Sequence, residues 1–317
     1  MFEIIFLGTS ASAPSVRRGL SAQVVKHNEH RFLIDCGEGT QRQILKSGLG
    51  FKRLNRVLIT HGHLDHILGL AGLFSTFTRW ETIDEVEILG GKWALERIHS
   101  LLYGVRVIPS GKKTNIKVSL REIEPGVIFE DGGFRVTAFP VTHRGPDCFG
   151  YQFEEPPRRP FLAEKADALG VPHGPIRRDL VQGKVVKLPD GIEVEPEEVM
   201  GDEIPGTKYV HVGDTGRTDD ILEACRGADA LVIEATYLKE ETDMARNFAH
   251  LTAGQAAQLA KEAGVGQLIL THISRRYRER DVVEEAQAVF PNTVVARDFD
   301  MYQVKRGETV KVEGDSR

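Results

Sequence analysis

The chain has 317 residues, 41% of them hydrophobic and 27% charged, with a formal net charge of −5. That length holds ample core for a stable fold, and the balance is that of an ordinary globular protein, which excludes a disordered chain and a marginal mini-protein. No apolar run reaches the roughly 18 uncharged residues of a membrane span, so no membrane partner is expected, and Cys36, Cys148 and Cys225 form no CxxC pair, which argues against a disulfide framework and a zinc ribbon.

The opening MFEIIFLGTSASAP carries Glu3 and lacks a basic flank, so it reads as a first strand and a small-residue turn rather than a signal peptide, and a cytoplasmic protein is expected. SAQVVKH and HRFLIDCG follow as strands, the second ending at Gly37. EGTQRQILKSGL has helical apolar spacing and stops at Gly48 or Gly50. RVLITH is a continuous apolar run, as in a strand buried on both faces, and DHILGLAGLFSTFTRW predicts one helix with two internal glycines. In the second half TKYVHVGDT, ADALVIEAT and QLILTH alternate with the helical patterns DDILEACRG, LTAGQAAQLAKEAG and VVEEAQAVF. Such alternation predicts an α/β fold with mixed sheets covered by helices. Between the halves the chain is rich in proline, glycine and charge and shows no sustained apolar period. This predicts one domain over residues 1–317 with a protruding arm inserted at about 154–205.

Charge is segregated. Residues 42–56 hold five basic side chains and no acid, and residues 275–280 hold four basic and one acidic. Residues 156–187 carry seven Lys or Arg against three acids, and residues 188–205 carry seven acids and no base. Basic segments of this kind can meet nucleic-acid phosphates although the net charge is negative.

The chemistry concentrates where apolar strands end: RVLITH at His61, TAFPVTH at His143, YVHVGD at Asp214 and LILTH at His272. Open α/β sheets build ligand sites at the carboxyl ends of strands, so these endings can converge on one edge. His61 and His63, two apart in an extended turn, point the same way, while Asp65 and His66 begin the next helix. Imidazole nitrogen and carboxylate oxygen suit zinc. The seven candidate ligands are one too few for two separate four-coordinate sites, and enough if Asp214 bridges.

HGHLDH resembles the HxHxDH signature of the metallo-β-lactamase-fold hydrolases. Around it FLGTSASAPS, DCGEGTQRQI, LTHGHLDHILGL, VTHRGPDCFGY, GDTGRTDD, EATY followed by AHLTAGQAA, and LTHISRRY resemble the blocks of the ribonuclease Z family of tRNA 3′-processing endonucleases. ALGVPHGPIRRDLVQG resembles the Gly-Pro segment of that family's flexible arm, and the resemblance runs from Phe2 to about Tyr302. It implies a four-layer αββα metallo-β-lactamase sandwich with a protruding arm, a homodimer, and two Zn2+ ions per subunit. His61, His63, His143 and Asp214 would hold the first zinc, and Asp65, His66, Asp214 and His272 the second. Asp65 would also accept a proton from the attacking water. His250 of the AHLT block would assist at the scissile phosphate, with Glu234 orienting its other nitrogen. RNA contacts are expected at Thr9 and Ser10 in the first turn, Gly174 and Pro175 in the arm, and Arg276 and Tyr277 in the RRY segment. The implied reaction removes the 3′ trailer of precursor tRNA after the discriminator nucleotide, leaving a 3′-hydroxyl and a 5′-phosphate. GDTGRTDD departs from the family's usual GDTRP and displaces the expected arginine to Arg217. Two other readings use the same residues: a hydrolase of small phosphodiesters or other esters, which would not need the basic arm, and a zinc protein that holds RNA without cutting it.

Overall fold

The computed structural model describes residues 1–80, 83–104, 107–108 and 116–312, so the end of the expected domain, residues 313–317, lies outside the described residues. The chain forms two compact units, Met1–Glu154 with Thr207–Arg317, and Glu155–Gly206.

The first unit is built on two sheets. Its strands before the second unit are β1 (Phe2–Gly8), β2 (Ala22–His27), β3 (His30–Ile34), β4 (Arg56–Leu58), β5 (Glu85–Gly90), β6 (Lys117–Glu122), β7 (Gly126–Glu130), β8 (Arg135–Pro140) and β9 (Phe149–Glu154). The second unit holds β10 (Val186–Lys187) and β11 (Glu193–Val194). The first unit resumes with β12 (Lys208–His211), β13 (Ala230–Glu234), β14 (Gln267–Thr271), β15 (Thr293–Val295), β16 (Met301–Lys305) and β17 (Glu308–Val312). One sheet has the order β17-β16-β1-β2-β3-β4-β5-β6, with β3 to β6 parallel, and the other β15-β14-β13-β12-β9-β8-β7, with β12 to β15 parallel.

Side chains alternate across these strands, and both faces are apolar because both are covered. Along β1, Phe2, Ile4 and Phe6 enter the core between the sheets, and Ile5 and Leu7 enter a second core under helices. Along β14, Ile269 faces the inter-sheet core, and Leu268 and Leu270 face a third core. The helices Thr40–Lys46, Gly69–Trp80 and Lys92–His99 close the second core with Ile44, Leu70, Phe74 and Ile98. Ala253–Ala263 and Glu279–Gln287 close the third with Ala256, Ala260 and Val282. Three cores make four layers, the helix–sheet–sheet–helix order that the resemblance implies. Full burial of each large apolar side chain contributes about 1.5–3 kcal/mol.

Several local expectations change. The helix expected from Asp65 to Trp80 is two pieces, Leu64–Ile67 and Gly69–Trp80. Gly69 explains the break: its N–H donates to Cys36 O at 2.8 Å, and a Cβ there would stand 1.9 Å from Gly37 O, so only glycine admits this close approach. The strand expected to reach Gly37 ends at Ile34, because Asp35 turns into the left-handed region with φ 57°. DDILEACRG shortens to a helical turn, Leu222–Cys225.

The second unit has more order than its composition suggests. It contains helices Ala163–Ala168, Pro175–Val181 and Pro196–Val199, the hairpin β10–β11, and a small core of Ala166, Val171, Leu180, Val186, Leu188, Val194 and Val199. Each short element supplies only one or two of these side chains, which is why no apolar period is visible. Among the described residues no helix is long and apolar enough to cross a membrane.

Candidate metal centre

Strand ends from both sheets deliver the site, rather than the single edge expected from sequence, because the two sheets stack with these ends together. His61 follows β4, His63 precedes the helical turn Leu64–Ile67 that carries Asp65 and His66, and His143 follows β8. Asp214 follows β12, Glu234 ends β13, and His272 directly follows β14 with φ 55°. His250 sits between helix Thr242–Phe248 and Thr252, which caps Ala253–Ala263 by accepting from Gln255 N.

All seven candidate ligands come together in two groups. In one, His61, His63, His143 and Asp214 each offer an atom within 4.8 Å of the others; in the next, Asp65, His66 and His272 do so. His63 Nδ1 lies 2.8 Å from His61 Nε2 and 3.2 Å from His143 Nε2. Asp214 stands between the groups: Oδ2 is 3.7 Å from the Nε2 of both His61 and His143 and 3.5 Å from His66 Nε2, and Oδ1 is 3.3 Å from His272 Nε2. Asp65 Oδ2 is 3.5 Å from His272 Nε2 and 3.8 Å from His66 Nε2, and it accepts a hydrogen bond from Ser12 N at 3.0 Å.

What surrounds the imidazoles decides where their protons lie. His66 Nδ1 donates to Asp35 Oδ2 at 2.7 Å. The Thr60 hydroxyl donates to the same oxygen at 2.8 Å, so it accepts from His61 Nδ1, 3.0 Å away. A second hydroxyl repeats the pattern: Thr236 donates to Glu234 Oε2 at 2.5 Å and accepts from His272 Nδ1 at 2.9 Å. His143 Nδ1 donates to Ala249 O at 2.7 Å, and His250 Nδ1 donates to Glu234 Oε1 at 2.8 Å. With the Nδ1 protons of His61, His66, His143 and His272 committed outward, all four Nε2 atoms face inward, each offering a lone pair when its ring is neutral.

Electrostatics favour the neutral form for His61 and His63 and the charged form for His66 while no cation is beside it. Burial and neighbouring imidazoles hold His61 well below its ordinary value and His63 at about 4, which keeps both neutral. Burial alone would also lower His66, but the Asp214, Asp35 and Asp65 carboxylates outweigh it and raise His66 well above the usual range. Burial would lower His250 too, and Glu234 outweighs it, lifting this imidazole to about 9. Asp214 is held well below the carboxylate range by His272 and His66 despite its burial. A buried carboxylate cluster of this kind attracts cations. The fit to metal is direct: buried His66 Nε2 and Asp214 Oδ1 have no hydrogen-bond partner among the described residues, and imidazole nitrogens with carboxylate oxygens form the donor set.

The expected RNA contacts fall elsewhere. Thr9 and Ser10 are buried; the Thr9 hydroxyl donates to Asp298 at 2.8 Å and accepts from Arg18 at 2.6 Å, and Ser10 donates to Ala13 O at 2.7 Å. Both hydroxyls thus hold the turn. Gly174, at φ 126°, and Pro175 open helix Pro175–Val181 of the second unit. Arg276 is exposed and pairs with Glu241 at 3.1 Å, and Tyr277 is half-buried beside it. The Arg217 departure also has a local reason. A Cβ on Gly216 would stand 2.9 Å from Ala249 Cα, so glycine lets the turn before His250 pack here, and Arg217 turns outward to Asp219. Asp35, Thr60 and Thr236, which aim the imidazoles, are not among the residues singled out from sequence. The signal was available, since Asp35 and Thr60 are also polar residues closing apolar strands.

Two family models match parts of the chain: an anti-Pycsar protein Apyc1 model over residues 2–155 and a β-lactamase superfamily domain model over residues 181–273. The ribonuclease Z of Bradyrhizobium diazoefficiens is 45% identical over 300 residues, 95% of this chain and 99% of that one. The ribonuclease Z of Rippkaea orientalis is 37% identical over 314 residues, 96% and 98%. Human tRNase Z, short form, superposes with a TM-score of 0.67 at 26% identity, over 95% of this chain and 99% of that one.

Proposed function

The chain belongs to the ribonuclease Z family, hydrolytic endoribonucleases of metallo-β-lactamase fold, and on that premise we propose that it removes the 3′ trailer from precursor tRNA. The scissile bond is the phosphodiester after the discriminator nucleotide, and the products are a tRNA with a 3′-hydroxyl and a trailer with a 5′-phosphate. The observation that carries this reading is the pair of His/Asp groups sharing Asp214 at the strand ends.

Two zinc ions suit these donors: His61, His63, His143 and Asp214 would hold one, and Asp65, His66, Asp214 and His272 the other. When bound, such a pair lowers the pKa of a water from 15.7 to about 7 and neutralises phosphate oxygens that otherwise repel an anionic nucleophile. Asp65, steadied by the Ser12 amide, receives the proton of the attacking water. His250 gives its Nε2 proton to the departing ribose 3′-oxygen, and Glu234, by holding Nδ1, aims that nitrogen. The Glu155–Gly206 unit serves as the arm, and with the basic segments at 42–56 and 275–280 it grips the tRNA by shape and phosphate contacts. The enzyme works in the cytoplasm as a homodimer, one subunit's arm holding the RNA that the other cuts.

The test is cleavage of an end-labelled precursor tRNA by the metal-loaded protein beside its Asp65→Ala variant, with product ends mapped. Cutting after the discriminator by the wild type alone, leaving a 3′-hydroxyl, is the expected result. An intact precursor alongside hydrolysis of a small chromogenic phosphodiester would refute the tRNA reading and leave a small-ester hydrolase.

A further inference from the structure

Beneath the His/Asp cluster, between the sheets, lies a cavity of about 20 Å3 whose walls include Gln23, Asp35, His66, His211, Asp214 and His272. His211 belongs to no group of candidate ligands, yet it is a 6% exposed imidazole inside an aromatic and aliphatic core. Its strand position explains the direction: Tyr209 and His211 share the inward face of β12, and Val210 faces the helices.

The hydrogen bonds determine its tautomer. Gln23 Nε2 has two protons; it donates one to Tyr209 Oη at 2.5 Å and lies 2.9 Å from His211 Nδ1, which takes the other. Burial lowers the His211 pKa to about 4, so the ring is neutral and, with Nδ1 accepting, carries its single proton on Nε2. That buried N–H has no hydrogen-bond partner among the described residues. A buried donor left unpaired is costly, and native interiors seldom leave one. The Asp214 carboxylate lines the same wall, and its two oxygens offer about four lone-pair sites, more than the bound cations would take. One water needs a volume of roughly 10–15 Å3, so this cavity has room for one and not two.

We propose that the cavity is a binding site for a single structural water, which accepts from His211 Nε2 and donates to the Asp214 carboxylate. The chain Tyr209–Gln23–His211–water–Asp214 then runs from the middle of the inter-sheet core to the residue that joins the two ligand groups. His211 is thereby a positioning residue: it acts on the metal centre through the water, by fixing the rotation of the carboxylate that both groups share. The water itself follows from this chain's own donors and cavity; its effect on metal rests on the metal reading given above.

Two measurements test it. A high-resolution crystal structure of the wild-type protein is expected to show a water within hydrogen-bond distance of His211 Nε2, and an empty cavity overturns the proposal. Zinc retention against a competing chelator then tests the coupling, with the cobalt-substituted protein's visible spectrum reporting ligand geometry. His211→Phe keeps a buried ring but removes the donor, and His211→Gln restores an N–H at similar reach. We expect H211F to lose zinc affinity by about 10–100-fold, as removal of an outer partner of a metal site does, with a changed cobalt spectrum, and H211Q to stay near wild type. Equal retention by H211F and wild type overturns the link and leaves the metal reading standing. Equal loss in both variants also overturns it, because packing alone then suffices. A wild type that holds no metal overturns both.

Discussion

Asp35 is 2% exposed and gathers three donors: Thr60 N at 2.8 Å, the Thr60 hydroxyl at 2.8 Å and His66 Nδ1 at 2.7 Å. Replacing it with Asn preserves shape and tolerates the φ of 57° that Asp35 adopts, so the variant isolates the second oxygen. If the amide oxygen keeps the Thr60 amide, its NH2 faces both Thr60 Oγ1 and His66 Nδ1. The hydroxyl can turn and accept, but its own proton then points at His61 Nδ1; His66 must move its proton to Nε2. Both changes direct protons inward, one in each ligand group. One donor left facing a donor costs about 1–3 kcal/mol. At about 1.4 kcal/mol per factor of ten, that is a loss of roughly 5–150-fold in metal affinity, with a similar 1–3 kcal/mol lost from folding stability. The assay is zinc competition with a chelator, together with urea unfolding of the metal-free protein. Asp35→Asn that retains zinc within twofold of wild type and unfolds at the wild-type midpoint would refute this account of how the imidazoles are oriented.

Three further outcomes are expected. His250→Ala should lower the turnover of precursor tRNA by about 10²-fold or more while zinc content stays unchanged, and turnover equal to wild type at saturating RNA would dispose of the proton-donor role. Burial pushes the thiols of Cys36, Cys148 and Cys225 up to about 12, so iodoacetamide at pH 8 should modify none of them in the folded chain and all three in denaturant, as read by mass spectrometry. Burial would raise the Glu279 carboxyl, but the Arg297 and Arg18 guanidiniums, at 2.7 and 2.8 Å, outweigh it and hold it below the usual carboxylate range. A depressed acid contributes stability above its unfolded pKa of about 4.3 and loses it as pH falls through the folded value. Glu279→Gln should therefore be less stable than wild type at pH 7, with the gap narrowing below about pH 4; a gap constant with pH would exclude the ion pairs as its cause.

The parts of this protein that were readable in advance are those written in short-range order. Apolar runs alternating with helical patterns specify layers covered on both faces, and polar residues closing RVLITH, TAFPVTH, YVHVGD and LILTH mark strand ends that can carry ligands, although the fold gathers them from two sheets, the first from β4 and the others from β8, β12 and β14. The same local reading fails where a distant backbone intrudes. Gly69 breaks its helix because Cys36 and Gly37 press against it, and no pattern within residues 64–80 contains that contact. The small core of Glu155–Gly206 was equally invisible, since its side chains come from elements too short to show a period. The ligand residue types were legible, but which nitrogen of each imidazole faces inward was not. That choice belongs to Asp35, Glu234, Thr236 and Ala249, brought to the histidines from 31, 16, 36 and 106 residues away. Sequence by itself determined which atoms can bind a cation; tertiary structure decided where their protons go, because a proton's position is set by the nearest acceptor in space.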